Sequence, residues 1–170
     1  INNFYFHPSV LHVLSISQDT HQFLSQNLAI ADSRLSRIVN AIEPIFSPSD
    51  SKKRCFHWMP RKNPEHVRAI IHSLLHYPPS FSEGWTGSPL QNLSHSDVAL
   101  RLNEALLFIS FGHPEGFGLP IAEAMASGCW VVGYSGGGGD ELFGFGASLK
   151  VNFGDWSDFV EKIQFVLSSY

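Results

Sequence analysis

The chain has 170 residues, 44% hydrophobic and 15% charged, with 11 basic against 15 acidic residues and a formal net charge of −4. That balance excludes a disordered chain, and with no basic stripe it argues against a nucleic-acid partner. No apolar run approaches the roughly 20 residues of a membrane span, so none is expected.

The length suits a domain with a substantial core. Cys55 and Cys129 each sit in an apolar run, which reads as two buried free thiols in a reducing compartment. The first residues, Ile1-Asn-Asn-Phe-Tyr5, lack the charged and apolar regions of a secretory leader, and no initiator Met is present. A piece of a longer protein is therefore expected.

In chain order, residues 9–17 read as a strand, Asp19 to Leu28 as a short helix and Arg34 to Ile42 as a second strand. A polar connector with Pro44 and Pro48 follows. Arg54 to Trp58 predicts a strand that leads into the loop Met59-Pro60-Arg61-Lys62-Asn63. Asn63 and Pro64 then open a helix to about His76, with Val67, Ile70, Ile71, Leu74 and Leu75 on its apolar face. Prolines and glycines break up residues 77–93, where at most a short strand near Phe81 to Trp85 is expected. Ser94 and Asp97 begin another helix, ending near Glu104.

Ala105 to Ser110 is an apolar run that reads as a buried strand. The helix after it has Pro120 in its first turn and Gly128 just past its end. Cys129 to Gly133 and Ala147 to Val151 are further strands, and Asp155 opens a last helix with Phe159, Val160 and Ile163 at helical spacing. Alternating strands and helices predict an α/β fold: a Rossmann-like, mostly parallel sheet with helices on both faces. Ligands of such sheets bind beyond the carboxyl ends of the strands. Three loops there carry unusual chemistry: 59–63 with two cations, 111–118 with Glu115, and the run Gly136 to Gly139.

The central stretch runs Glu115-Gly-Phe-Gly-Leu-Pro-Ile-Ala-Glu123-Ala-Met-Ala-Ser-Gly128. Its glycines admit a ligand to the backbone, and the free N–H groups of a helix start favour an anion. Glu123 falls one turn into the helix, and its side chain leans back toward the same place. Glutamate pair, glycine loop, proline and Ala-Met-Ala-x-Gly tail together resemble the donor site of retaining GT-B glycosyltransferases, family 4 in particular. The resemblance covers roughly residues 54–151.

That resemblance implies a division into 1–50, a crossover segment with the first strands, and 51–170, a nucleotide-sugar-binding domain. It implies transfer of a hexosyl group from a nucleoside-diphosphate sugar to an acceptor hydroxyl with retention, in polysaccharide or glycoconjugate synthesis. Glu115 would accept from hexose hydroxyls and Glu123 from the ribose diol, as carboxylates do. Backbone N–H groups of Gly116, Phe117, Gly118 and Leu119 would face sugar and phosphate oxygens, and His113 would touch the donor. Arg61 and Lys62 would hold the diphosphate, although the family commonly spaces these two cations by several residues. Gly137 and Gly138 would approach donor or acceptor; a flexible turn is the competing reading.

The expected partners are a nucleotide sugar and, through an N-terminal domain absent from this chain, an acceptor glycan or lipid-linked sugar. No cofactor and no metal are expected: His72 and His76 lie one turn apart but lack a third ligand. Trp58, Trp85 and Trp130 read as packing residues. The expected location is cytoplasmic or the cytoplasmic face of a membrane, and the chain alone would be inactive or weakly active. Two alternatives stay open: a non-catalytic nucleotide-sugar-binding module, and another GT-B enzyme such as a sugar-nucleotide epimerase.

Overall fold

The computed structural model describes residues 4–76 and 83–170. Five parallel strands form the main sheet: β3 (Lys53–Trp58), β4 (Thr86–Pro89), β5 (Ala105–Ser110), β6 (Trp130–Gly133) and β7 (Ser148–Lys150), in the order β4-β3-β5-β6-β7. The central strands are apolar throughout, as a sheet covered on both faces requires, and Leu107 and Ile109 of β5 are fully buried. Each stabilises the fold by about 1.5–3 kcal/mol.

One face is covered by α2 (Pro64–His76) and α5 (Trp156–Ser168), through Ile70, Leu74, Phe159 and Ile163. The other is covered by α3 (His95–Glu104) and α4 (Leu119–Ala126), through Ala99, Leu102, Ile121 and Ala124. The expected caps form at α3 and α5, where Ser94 Oγ accepts from Asp97 N and Asp155 Oδ1 accepts from Asp158 N. The chain leaves β3 for one neighbour and returns through β5 on the other side. This makes β3/β5 the point where the winding reverses, and their carboxyl ends are where such sheets bind ligands.

Three expectations need correction. The strands at 9–17 and 34–42 shorten to β1 (Val13–Ser15) and β2 (Leu35–Arg37), a separate two-stranded parallel sheet. Its one covered face packs Val13 and Leu35 on Leu24 and Ile30, whereas Leu11, Ile38 and Val39 beyond the strand ends are exposed. The helix between them is α1 (Gln18–Gln22), continuing as a π-helical turn over Phe23–Asn27. Of the strand expected near Phe81 to Trp85, residues 81–82 lie outside the described residues and 83–85 are not a strand; the strand that is seen, β4, follows them. Gly87 and Pro89 read as breakers, but β4 is an edge strand, where proline is tolerated, and a Cβ at Gly87 would lie 2.3 Å from the Phe56 ring.

The connector is tied to the main sheet by residues whose partners are far away in sequence. Phe46 is buried beside Leu90 and Phe108. Lys52 Nζ donates to the carbonyls of Leu102, Ala105 and Ser127, at 3.3, 2.7 and 2.5 Å. It thus serves the carboxyl ends of α3 and α4, where a cation is favoured, while burial pulls its pKa down. Cys129 donates to two of the same carbonyls, and burial pushes its thiol up to about 12. Both cysteines are free; Cys129 is buried and Cys55 partly so.

Candidate functional site

A cleft of about 580 Å³ opens over the carboxyl ends of β3, β4 and β5. Its apolar floor is Met59, Leu90, Phe108 and Ile121; its polar rim is Arg61, Lys62, Gln91, Asn92 and Glu115. Gly118, in a left-handed conformation with φ 89°, is the N-cap of α4 and offers no side-chain cap. The start of α4 therefore turns the positive end of a helix dipole to the cleft, with the Leu119 N–H left over: Pro120 has none, and Ile121 and Ala122 N already donate to Gly118 O at 2.9 and 3.2 Å. Pro120 follows inside the first turn, where its missing N–H leaves no gap in the helix.

Two loops meet across the cleft. Lys62 Nζ donates to Pro114 O at 2.6 Å and pairs with Glu115 Oε1 at 2.9 Å. Asn63, with φ 50°, donates from Nδ2 to Phe111 O at 2.8 Å and His113 O at 3.0 Å. The exposed guanidinium of Arg61 makes no hydrogen bond or ion pair among the described residues. Behind the Glu115 loop, Glu115 N donates to Gly136 O and Gly138 N to Glu115 O, at 2.8 and 3.1 Å.

The structure brings Arg61, Lys62, Glu115 and Gly118 together around the cleft. Other predicted site residues stand elsewhere. Gly116 faces the two-stranded unit, where an added Cβ would meet Ile16 Cδ1 at 3.1 Å. Phe117 and the exposed Leu119 are not among the residues that line the cleft. Nor is His113, whose ring stacks on Phe153 with centroids 4.1 Å apart. Gly137 and Gly138 do not line it either. The competing reading, a turn before a short helix, is right about the helix, a 3-10 turn over Asp140–Gly144, but the run itself is packed. Gly136, Gly138 and Gly139 are buried, and a Cβ at Gly138 would sit 2.1 Å from Gly116 O. Their role is to let one loop lie flush beneath another.

Glu123 is half-buried on α4, in the field of His95 and Glu43 rather than in the cleft lining. Burial raises its pKa above the usual carboxylate range, with His95 opposing and Glu43 adding to the shift. His95, at the start of α3, is three residues beyond Asn92 of the rim, so Glu123 stands behind that end of the cleft. Trp58 stacks on Phe56, while the indoles of Trp85 and Trp130 donate to Leu167 O and Tyr170 Oη. His72 and His76 stack on each other at an exposed helix surface. Among the described residues, no group of three or more His, Cys, Asp or Glu could hold a metal ion, and no helix is long and apolar enough to cross a membrane.

Comparison with known proteins shows what this geometry is similar to. Residues 89–170 match the family of glycosyl transferases group 1. A stretch of 47 residues is 51% identical to an alpha-1,6-glucosyltransferase of Actinobacillus pleuropneumoniae serotype 7 (strain AP76), covering 28% of this chain and 14% of that protein. Among solved structures, a glycosyltransferase from Rickettsia africae ESF-5 superposes with a TM-score of 0.72 at 16% identity, over 96% of this chain and 56% of that one. The pneumococcal O-GlcNAc transferase GtfA, solved in complex with UDP and GlcNAc, gives 0.57 at 15% identity, over 91% of this chain and 37% of that one. The chain thus spans about half or less of these proteins, and at such identities the solved structures share its fold. Residues 89–170 thus resemble the glycosyl transferases group 1, on an α/β fold that the chain shares with solved glycosyltransferases.

Proposed function

We propose that the cleft holds the nucleoside diphosphate of a nucleotide sugar, and that this chain is the donor-binding part of a retaining, family 4-like hexosyltransferase. The observation that carries the reading is the meeting, in one cleft at the β3/β5 switch point, of an apolar floor, a guanidinium without a partner among the described residues, an uncapped helix start and a carboxylate. Each suits a different part of the ligand. The apolar floor takes a flat base, the guanidinium forks onto phosphate oxygens, the positive helix start favours an anion, and Glu115 accepts from sugar hydroxyls.

In this reading the leaving group is the nucleoside diphosphate. Arg61 and the start of α4 stabilise the negative charge that develops on it as the glycosidic bond breaks. Glu115 holds the hexose and Glu123, from behind the rim, accepts from the ribose diol. The acceptor hydroxyl, a glycan or lipid-linked sugar, is presented by a part of the protein outside this chain. The cytoplasm is the proposed site of the reaction, and the free thiols suit such a reducing compartment. The neighbour solved with UDP supports a nucleotide partner of this kind.

Calorimetric titration with UDP-, GDP-, ADP- and dTDP-sugars tests the reading. One nucleotide class should bind saturably, and Arg61→Met should weaken it about tenfold or more, the worth of a charge-assisted contact. If neither the chain nor the full-length protein binds any of these ligands, the reading is wrong.

A further inference from the structure

The three consecutive residues 61–63 divide into two groups with different partners. The side-chain bonds of Lys62 and Asn63 go to the loop that carries Glu115: to the carbonyls of Phe111, His113 and Pro114 and to the Glu115 carboxylate. Arg61 lines the same cleft and makes none of these contacts. The Glu115 loop is also held from its far side, by the bonds to Gly136 and Gly138 and by the stack of His113 on Phe153. It is therefore not free to follow Lys62 toward another partner. Adjacent residues in a loop point in different directions, so one of the two cations is committed to Glu115 by the course of the backbone.

Resting on the donor-site reading above, we infer that Lys62 is a positioning residue for Glu115, assisted by Asn63, and that Arg61 is the cation of this loop that meets the diphosphate. The consequence is a separation of specificities. Arg61 governs affinity for any nucleoside diphosphate, whereas Lys62 governs the extra affinity that the hexose adds, because it orients the carboxylate that accepts from the sugar. A lysine with one bond on a backbone carbonyl and another on the carboxylate fixes the side chain and its loop together. A guanidinium without a partner among the described residues is available to fork onto two phosphate oxygens.

Two measurements on the purified chain decide the matter. Amide hydrogen exchange, with no nucleotide added, should show the N–H groups of Glu115 and Gly138 exchanging several-fold faster in Lys62→Met and unchanged in Arg61→Met. Affinities for UDP, GDP, ADP and dTDP, each compared with its glucose derivative, should then separate the variants. Arg61→Met should weaken the bare nucleoside diphosphate and its sugar alike, tenfold or more. Lys62→Met should leave the bare nucleoside diphosphate within about twofold while removing the added affinity of the sugar, and Lys62→Arg should restore part of it. Lys62→Met that weakens the bare nucleoside diphosphate as strongly as Arg61→Met overturns the inference. So does unchanged exchange at Glu115 and Gly138 in Lys62→Met. Were neither the unaltered chain nor the full-length protein to bind any nucleotide, the donor-site reading would fall, and the exchange measurement would still decide what Lys62 holds.

Discussion

The loops at 111–118 and 136–139 both leave the carboxyl ends of central strands and both are rich in glycine, yet they use it in opposite ways. In the first, Gly116 has only the end of the Ile16 side chain near its missing Cβ, and Gly118 takes a left-handed conformation so that α4 can begin uncapped. In the second, Gly138 and Gly139 have backbone oxygens at 2.1 and 2.4 Å from where a Cβ would stand. One loop is open so that something can enter; the other is packed so that the first has a base. Glycine run and glycine loop look alike in composition, and only the neighbours distinguish them.

Substitution can break that contrast. Gly138→Ala forces a methyl group onto Gly116 O and should destabilise the chain by about 3 kcal/mol or more, or prevent folding. Gly116→Ala, in the open loop, should stay within about 0.5 kcal/mol of the parent. Urea denaturation of both checks the pair; equal losses would mean that the run at 136–139 is not a packed support. Next in size is Gly118→Ala. A φ of 89° disfavours any Cβ, and Ile121 Cδ1 would lie 3.1 Å away, so a loss of about 1–2 kcal/mol is expected. Nucleotide affinity should fall with it, since the helix start moves.

The smallest effect sharpens the comparison on α4 itself. Burial raises the pKa of Glu123 in the folded chain, so its ionised form is disfavoured there relative to the unfolded state. At neutral pH this lowers stability. As pH falls through the raised pKa toward the ordinary carboxylate range, the penalty disappears. Glu123→Gln should therefore be slightly more stable than the parent at pH 7 to 8, by less than about 1 kcal/mol for a half-buried group, with the difference vanishing in acid. Thermal melts across pH would show it. A variant less stable than its parent at pH 8 would contradict the burial argument.

Much of this was legible in the residues. The apolar run at 105–110, Pro120 and Gly128 around α4, and the caps Ser94 and Asp155 are local signals, and each matches the structure. The meeting of Arg61, Lys62 and Glu115 followed from the rule that ligands gather beyond parallel strands. What escaped was non-local. β4 was hidden because Gly87 and Pro89 look like breakers unless the strand is known to be an edge packed on Phe56. Asn63 read as a helix cap, yet its amide serves carbonyls 48 and 50 residues away. Lys52 gave no signal at all, because its three acceptors come from residues 102, 105 and 127. His113 and Glu123 fall where a motif can place a backbone but not a side chain.

The connector has a consequence for movement. Asn40 is held to the two-stranded unit through the carbonyl of Ile16, whereas Asn103 holds the carbonyl of Ile45, and Phe46 and Lys52 are fastened deeper in the main sheet. Only residues 41–44 lie between the two attachments. Any turning of one unit against the other must pass through that short stretch, beside the latch that Glu141 makes with Arg37 and the Gln18 amide. A leash so short defines an axis rather than a volume of space, so any turning of the two-stranded unit is confined to residues 41–44 and first requires that latch to part.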